Sequence, residues 1–263
     1  MELSAYIKRA IRRYEPIETG GLTLYPVRVR EMDEFEVART AIDVVQQALP
    51  VRYAAMPLLS AYRAMDVEAA ERGEEPLGLF TRALAFLALA LRVGEGQEIS
   101  ERIRRFRIKV DAEDPAVVKA IVFSQDGEEK KTITPVQFQR LRYILAAQNG
   151  IELADETANP ELLEAQAELD RQNAPKLKRD AGALISAVAA FSGCGEDEID
   201  EWPILKLMKR KEAYQRAADY ILCGMAAAQG AKWKNGNPVP DLFYEREREE
   251  NGALMPLSHF TKT

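Results

Sequence analysis

The sequence predicts a mainly α-helical protein of the α+β class, with a small antiparallel β-sheet in its first half and a long amphipathic helix toward its C-terminus. Apolar residues recur at helical spacing over most of the chain, which is typical of helices packed on a core. Short alternating segments between residues 106 and 133 predict the sheet. Pro203 opens the longest helical pattern. A chain of 263 residues with 47% hydrophobic content can bury a sizeable core.

The N-terminal part predicts one edge strand followed by a helix. After Gly20 and Gly21, residues 22–29 alternate between apolar and polar side chains but contain Pro26, which favours an edge strand or an extended segment. From Met32 onward the apolar residues recur at helical spacing and predict a helix. These apolar positions are Phe35, Ala38, Ile42 and Val45.

Two further helices are predicted over residues 53–72 and 77–93. The second contains the most apolar run of the chain, residues 83–91, which Arg82 and Arg92 bound. This run is about half the length that a helix needs to cross a bilayer. We therefore predict a buried helix and no membrane partner.

Three short strands and a well-marked helix start follow. The strands are predicted over residues 106–110, 118–123 and 130–133. An Asp-Gly turn at residues 126–127 joins the last two. Thr134 and Gln137 have the spacing of a capping box, and Pro135 suits the first helical position, so the next helix is predicted to run to about residue 148.

A polar connector over residues 152–158 is the predicted domain boundary. It divides the chain into an N-terminal α+β region, residues 1–151, and a C-terminal helical region with an extended aromatic tail, residues 152–263. Within the second region a Glu-rich helix is predicted over residues 159–173, because an Asn-Pro pair marks its start. A helix of small residues is predicted over residues 181–191.

The long helix after Pro203 carries an apolar stripe that could dock on the core or on a partner. Its members are Ile204, Leu207, Met208, Tyr214, Ala218, Ile221, Leu222 and Met225. Lys211 lies inside this stripe. Two interpretations fit Lys211: a charge kept for a carboxylate of a partner, or a side chain whose stem covers apolar surface while its head stays in water.

The sequence contains few of the residue patterns that catalytic, cofactor or metal sites require. His259 is the single histidine and lies close to the end of the chain, so a histidine-dependent triad is not expected. Gly94 and Gly96 are not followed by the third glycine of a dinucleotide site, and no P-loop motif is present. The acidic run at residues 196–201 lacks the alternation and turn glycine of a calcium loop, and it suits the start of a helix. We predict no cofactor and no metal.

Charge and cysteine usage indicate a cytosolic protein that does not bind nucleic acid. The 42 acidic residues outnumber the 36 basic ones and give a net charge of −6, so no overall positive field would attract phosphates. Cys194 and Cys223 form no metal-binding pattern and are expected to be reduced thiols, with a disulfide as the alternative. Residues 1–18 lack the apolar core and cleavage site of a secretory signal.

An aromatic tail follows the long helix. Trp233, Phe243 and Tyr244 lie in it, with Lys232 and Lys234 beside the tryptophan. Aromatic rings next to cations can stack on the bases of a single strand. The strongly charged residues 245–250 and the acidic net charge favour packing within the protein or against a protein partner instead.

The chain resembles a family of tailed-bacteriophage and prophage proteins described as tail assembly chaperones. The resemblance spans most of the chain and is carried by structural patterns. These are the run GLTLYPVRVREMDEF at residues 21–35, the run ITPVQFQRLRYILAAQNG at residues 133–150, the acid-led long helix and the tail from Trp233. Residues 51–105 show no likeness to the family.

The resemblance implies a protein that binds the long, aggregation-prone tape-measure protein through apolar surfaces and holds it soluble until tail-tube subunits polymerise around it. Such a protein would catalyse no reaction and would act in the cytoplasm of the bacterial host. The residues we expect to contact the partner are Leu207, Met208, Tyr214 and Ile221 on the stripe, with Trp233, Phe243 and Tyr244 in the tail.

Two other classes of protein fit the same composition. One is a permanent virion subunit, such as a baseplate or head-to-tail connector component, which would stay in the finished particle. The other is a hydrolase that uses a pair of carboxylates, but no pair stands out among the 42 acidic residues. A neighbouring gene for a long tape-measure protein would favour the chaperone over the virion subunit.

Overall fold

The structure is a computed structural model that describes residues 3–46, 49–124, 130–153, 180–233, 237, 239 and 241–242. Contacts divide the chain into two units, Met1–Met208 and Lys209–Thr263. The boundary predicted after residue 151 stays a prediction. The helix predicted at residues 159–173 and the turn at residues 126–127 lie outside the described residues.

The predicted fold class is confirmed, since the described elements are mainly helices with two small antiparallel sheets. The helices of the first part are α1 (Ala5–Arg13), α2 (Met32–Ala38), α3 (Val51–Ala54), α4 (Leu58–Glu71), α5 (Leu79–Ala90), α6 (Ile99–Arg104) and α7 (Pro135–Asn149). Three more follow: α8 (Ala181–Ser192), α9 (Glu196–Asp200) and α10 (Ile204–Ala228).

The strands form a hairpin and a three-stranded sheet. Strands β1 (Ile17–Thr19) and β2 (Leu22–Leu24) pair antiparallel, with Ile17 opposite Leu24. Strands β3 (Arg107–Val110), β4 (Val118–Ser124) and β5 (Lys130–Ile133) form the sheet in the order β3-β4-β5. Its central strand is mostly buried, and Phe123 contacts Phe106 with ring centroids 5.4 Å apart. The sheet thus packs on the helices that surround it.

Two predicted elements are shorter in the structure than the sequence pattern suggested. The strand expected over residues 22–29 ends at Leu24, and a 3₁₀ turn already begins at Val29. The helix expected over residues 53–72 is divided into α3 and α4 at Pro57. Because a proline has no backbone N–H, it cannot continue a helix and instead precedes the first residue of α4.

Helix α5 is the centre of the core of the first unit. All its residues from Ala83 to Ala90 are buried, and the ring of Phe86 lies 5.7 Å from that of Phe35 on α2. This confirms the prediction of a buried helix at this position. No described helix combines the length and the hydropathy needed to cross a bilayer.

Two arginines are buried in this core and donate to backbone carbonyls. Arg102 on α6 is 3% exposed and donates to the carbonyls of Val93 and Ala88 at 2.9 and 2.7 Å. Its third contact is an ion pair of 2.7 Å with Glu31. Arg142 on α7 donates to the carbonyl of Ile42 at 2.6 Å. Both guanidinium groups thus donate to backbone carbonyls at or near the ends of helices and turns.

The capping box predicted at the start of α7 is confirmed. The backbone N–H of Gln137 donates to Thr134 Oγ1 at 3.2 Å, and the backbone N–H of Thr134 donates to Gln137 Oε1 at 2.8 Å. The far end of α7 holds the N-terminal segment, because Asn149 Oδ1 accepts from the N–H of Val27 at 2.8 Å. Helix α7 therefore links the hairpin to the core.

Replacing Thr134 with alanine is expected to lower the free energy of unfolding by about 1 kcal/mol, because one capping bond is lost. The conservative variant Thr134→Ser keeps the hydroxyl oxygen and should stay within a few tenths of a kcal/mol of the parent chain. Chemical denaturation followed by circular dichroism measures both. Equal losses in the two variants would show that the cap does not stabilise α7.

Candidate protein-interaction surface

The first turn of α10 is anchored in the core of the first unit. The N–H of Val29 donates to the carbonyl of Trp202 at 2.9 Å, and the N–H of Ile204 donates to the carbonyl of Val27 at 2.9 Å. Ile204, Leu205 and Leu207 are buried. These contacts fix where α10 begins and in which direction its first turn points.

A cluster of two arginines and two glutamates surrounds this anchor. Arg28 Nη1 lies 2.9 Å from Glu95 Oε1 and 3.0 Å from Glu201 Oε2. Arg30 Nη2 lies 2.6 Å from Glu95 Oε1, and Arg30 also pairs with Glu201. The ammonium of Lys206 lies 3.7 Å from the ring centroid of Trp202. Of the acidic run at residues 196–201, Glu201 thus pairs with both arginines just ahead of α10.

Neutralising the most connected carboxylate of this cluster should weaken the fold slightly. The variant Glu95→Gln is expected to lose up to about 1 kcal/mol of unfolding free energy, because its ion pairs are only partly buried. The loss should shrink at high salt, which screens such pairs. The control Glu75→Gln removes an exposed carboxylate that has no ion pair with a described residue. A loss that does not change with salt would contradict an electrostatic origin.

Beyond its first turn α10 is largely exposed. Of its 25 residues only Ile204, Leu205 and Leu207 in the first turn are buried. The stripe residues Ile221, Leu222 and Met225 are 59%, 62% and 57% exposed, and we call these three the exposed patch. Ile221 and Leu222 are adjacent, and Met225 follows them by four and three positions, so all three share one side of the helix. An apolar patch of this kind on a helix is typical of a surface that binds another protein.

The structure separates the predicted contact residues into groups. Leu207 is fully buried in the first unit and has no surface to offer a partner. Met208 is 38% exposed, and Ile221 belongs to the exposed patch. Tyr214 and Trp233 are half-buried. Phe243 and Tyr244 lie outside the described residues.

Charged residues precede the exposed patch along α10 and do not pair with each other. Lys211, Glu212 and Asp219 are exposed on α10, and none forms an ion pair with a residue in the part of the chain that the structure describes. The long helix therefore presents apolar side chains and unneutralised charges together. This arrangement could select a partner by charge as well as by apolar contact.

A second surface feature is a shallow depression beside α3 and α4. It has a volume of about 290 Å³, and its lining includes Arg52, Tyr53, Glu68 and Arg72. The hydroxyl of Tyr53 donates to Glu68, which holds the pKa of that carboxyl below its ordinary value, and both arginines act in the same direction. Burial, followed by the contact with Glu68, raises the pKa of Tyr53. A carboxylate held in its charged form by three donors is an ion-pair centre and a poor general base.

Groups that could perform metal chemistry do not converge in the described ranges. No three His, Cys, Asp or Glu side chains of those residues lie close enough to bind one metal ion. Cys194 and Cys223 are both free thiols and half-buried. The exposed patch on α10 is thus the feature with the clearest functional character.

Comparison with known proteins adds no relative. No protein-family model, no curated protein and no solved structure matches the chain.

Proposed function

We propose that this chain is a tail assembly chaperone of a bacteriophage or prophage, which acts in the cytoplasm of the bacterial host and catalyses no reaction. Its main partner in this proposal is the tape-measure protein, and the tail tube subunit is a second one. Neither nucleic acid nor a membrane is a partner. The observation that carries the proposal is the exposed patch of Ile221, Leu222 and Met225 on α10.

The energetics of α10 support a role in binding. Most of the stability of a helix in a protein comes from tertiary packing of its apolar face and not from the helix propensity of its residues. Only the first turn of α10 contains buried residues, so the rest of the helix gains little stability from packing against the described residues. A partner that covered the exposed patch would remove apolar surface from water and stabilise the helix at the same time. Binding and ordering of α10 would therefore reinforce each other.

The charge of the chain supports the chaperone role as well. A tape-measure protein is long and prone to aggregate, so its carrier must keep the complex dissolved. A net charge of −6 favours solubility through repulsion between complexes. The tail residues Trp233, Phe243 and Tyr244 would add aromatic contacts beside the helix. The apolar surface thus binds the partner while the rest of the surface keeps the complex in solution.

Co-expression with the tape-measure protein from the same genome tests the proposal. A tagged copy of this chain is expected to capture the tape-measure protein, and mass spectrometry of purified virions should not find this chain. Capture with presence at fixed stoichiometry in virions would make it a permanent virion subunit of the baseplate or connector type. Absence of both capture and virion incorporation would refute a role in tail assembly.

A further inference from the structure

The exposed side of α10 has the spacing of a coiled-coil seam. Successive positions on this side are separated alternately by four and three residues, which is the a and d pattern of a heptad repeat. We call these positions the seam: Lys211, Gln215, Ala218, Leu222 and Met225. All five residues belong to the second unit and are exposed. The seam is therefore suited to pairing with one more helix.

The polar start of the seam restricts what can pair with it. When two helices pair, a and d side chains are enclosed between them. An enclosed lysine without a counter-charge costs free energy, whereas one that meets a carboxylate keeps a favourable partner. Lys211 has no ion pair with any described carboxylate, so it is available for a carboxylate from outside the chain. Of the two interpretations of this lysine, the seam geometry favours a charge kept for a partner.

A second copy of this chain is a poor occupant of the seam. In a parallel pair the two Lys211 side chains would face each other, and like charges repel. In an antiparallel pair Lys211 would face the apolar end of the other copy's seam, because the seam begins with Lys211 and Gln215 and ends with Leu222 and Met225. That arrangement also brings Glu212 of one copy to the same edge as Asp219 of the other. Both self-pairings therefore place charges unfavourably.

We propose that the occupant of the seam is a helix of a different protein with a defined charge pattern. This helix carries an Asp or Glu in its apolar stripe, opposite Lys211. It carries Lys or Arg along the edge that faces Glu212 and Asp219. The remaining contacts are apolar and meet Ala218, Leu222 and Met225. The inference rests on the proposed function in one respect, that this side of α10 binds the partner.

Three synthetic peptides test the inference with the full-length chain. Each peptide is a three-heptad helix with leucine at its other seam positions and lysine along the edge that faces Glu212 and Asp219. The peptides differ only in the residue opposite Lys211, which is glutamate, leucine or lysine. Fluorescence anisotropy is expected to show that the glutamate peptide binds at least about tenfold more tightly than the lysine peptide. It should also bind more tightly than the leucine peptide.

Matched charge reversals complete the test. The variant Lys211→Glu should reverse the preference between the glutamate and lysine peptides. The control Lys209→Glu changes the net charge by the same amount at a position outside the seam, and it should leave the preference unchanged. Circular dichroism establishes that both variants retain their helix content.

Three results would overturn the inference. One is equal binding of all three peptides. Another is preference for the leucine peptide, which would mean that Lys211 needs no counter-charge. The third is a dimer of the free chain that the variant Leu222→Asp dissociates, since a second copy would then occupy the seam. Capture of the tape-measure protein is measured separately, so peptide discrimination without that capture would refute the proposed function and leave the seam inference intact.

Discussion

Replacing Leu222 with aspartate is expected to reduce capture of the tape-measure protein on the order of a hundredfold. Leu222 is 62% exposed, so the substitution removes little buried surface from the free chain. In the complex the new carboxylate would be enclosed among apolar side chains without a partner, which costs several kcal/mol. Isothermal titration calorimetry or a quantitative pull-down measures the loss.

A control on the same helix separates binding from stability. Tyr220 is 41% exposed and lies on the opposite side of α10, so Tyr220→Asp places the same charge outside the exposed patch. This variant should bind the tape-measure protein as the parent chain does. Equal loss of capture in the two variants would mean that α10 acts through its helix content alone and not through a specific face.

Replacing Arg102 with methionine is expected to lower the free energy of unfolding by about 3–5 kcal/mol, the cost of removing one member of a buried ion pair. The guanidinium of Arg102 donates to the carbonyls of Val93 and Ala88 and pairs with Glu31. Methionine fills part of the volume but leaves both carbonyls and the carboxylate of Glu31 without this donor. Urea denaturation should show a lower midpoint with a similar slope.

A neighbouring arginine provides the control for this effect. Arg104 lies on the same helix and is exposed. The variant Arg104→Met makes the same chemical change, and it should alter the unfolding free energy by no more than about 0.5 kcal/mol. If the two variants were equally stable, the buried contacts of Arg102 would not be what fixes α6 to the end of α5.

Local sequence signals predicted the elements that local contacts determine. The capping box of Thr134 and Gln137 is made within one turn, so the residue types at that spacing were sufficient to find it. Helix α5 was predicted because its long run of apolar residues is stable only when it is buried in the core. Strand β1 and helix α6 were missed, because they contain only three and six residues and their pairing partners lie elsewhere in the fold.

The buried arginines and the division of the apolar stripe required tertiary structure. Arg102 and Arg104 have the same side chain two positions apart, but only Arg102 reaches the carbonyls of Ala88 in α5 and of Val93 just after it. Leu207 and Ile221 occupy equivalent places in the helical pattern, yet the first is buried and the second is exposed. The difference arises because residues 27–29 hold the first turn of α10. Periodicity identifies a stripe, but not which of its members another segment covers.

Hydrogen exchange of α10 shows whether this helix is covered when the partner binds. Amides of residues 209–228 are measured in the free chain and in the complex with the tape-measure protein. We expect fast exchange in the free chain, because none of these residues is buried, and strong protection in the complex. Amides in α5 should be protected equally in both states. A complex that forms while exchange in α10 stays unchanged would contradict the claim that this helix is the partner-binding surface.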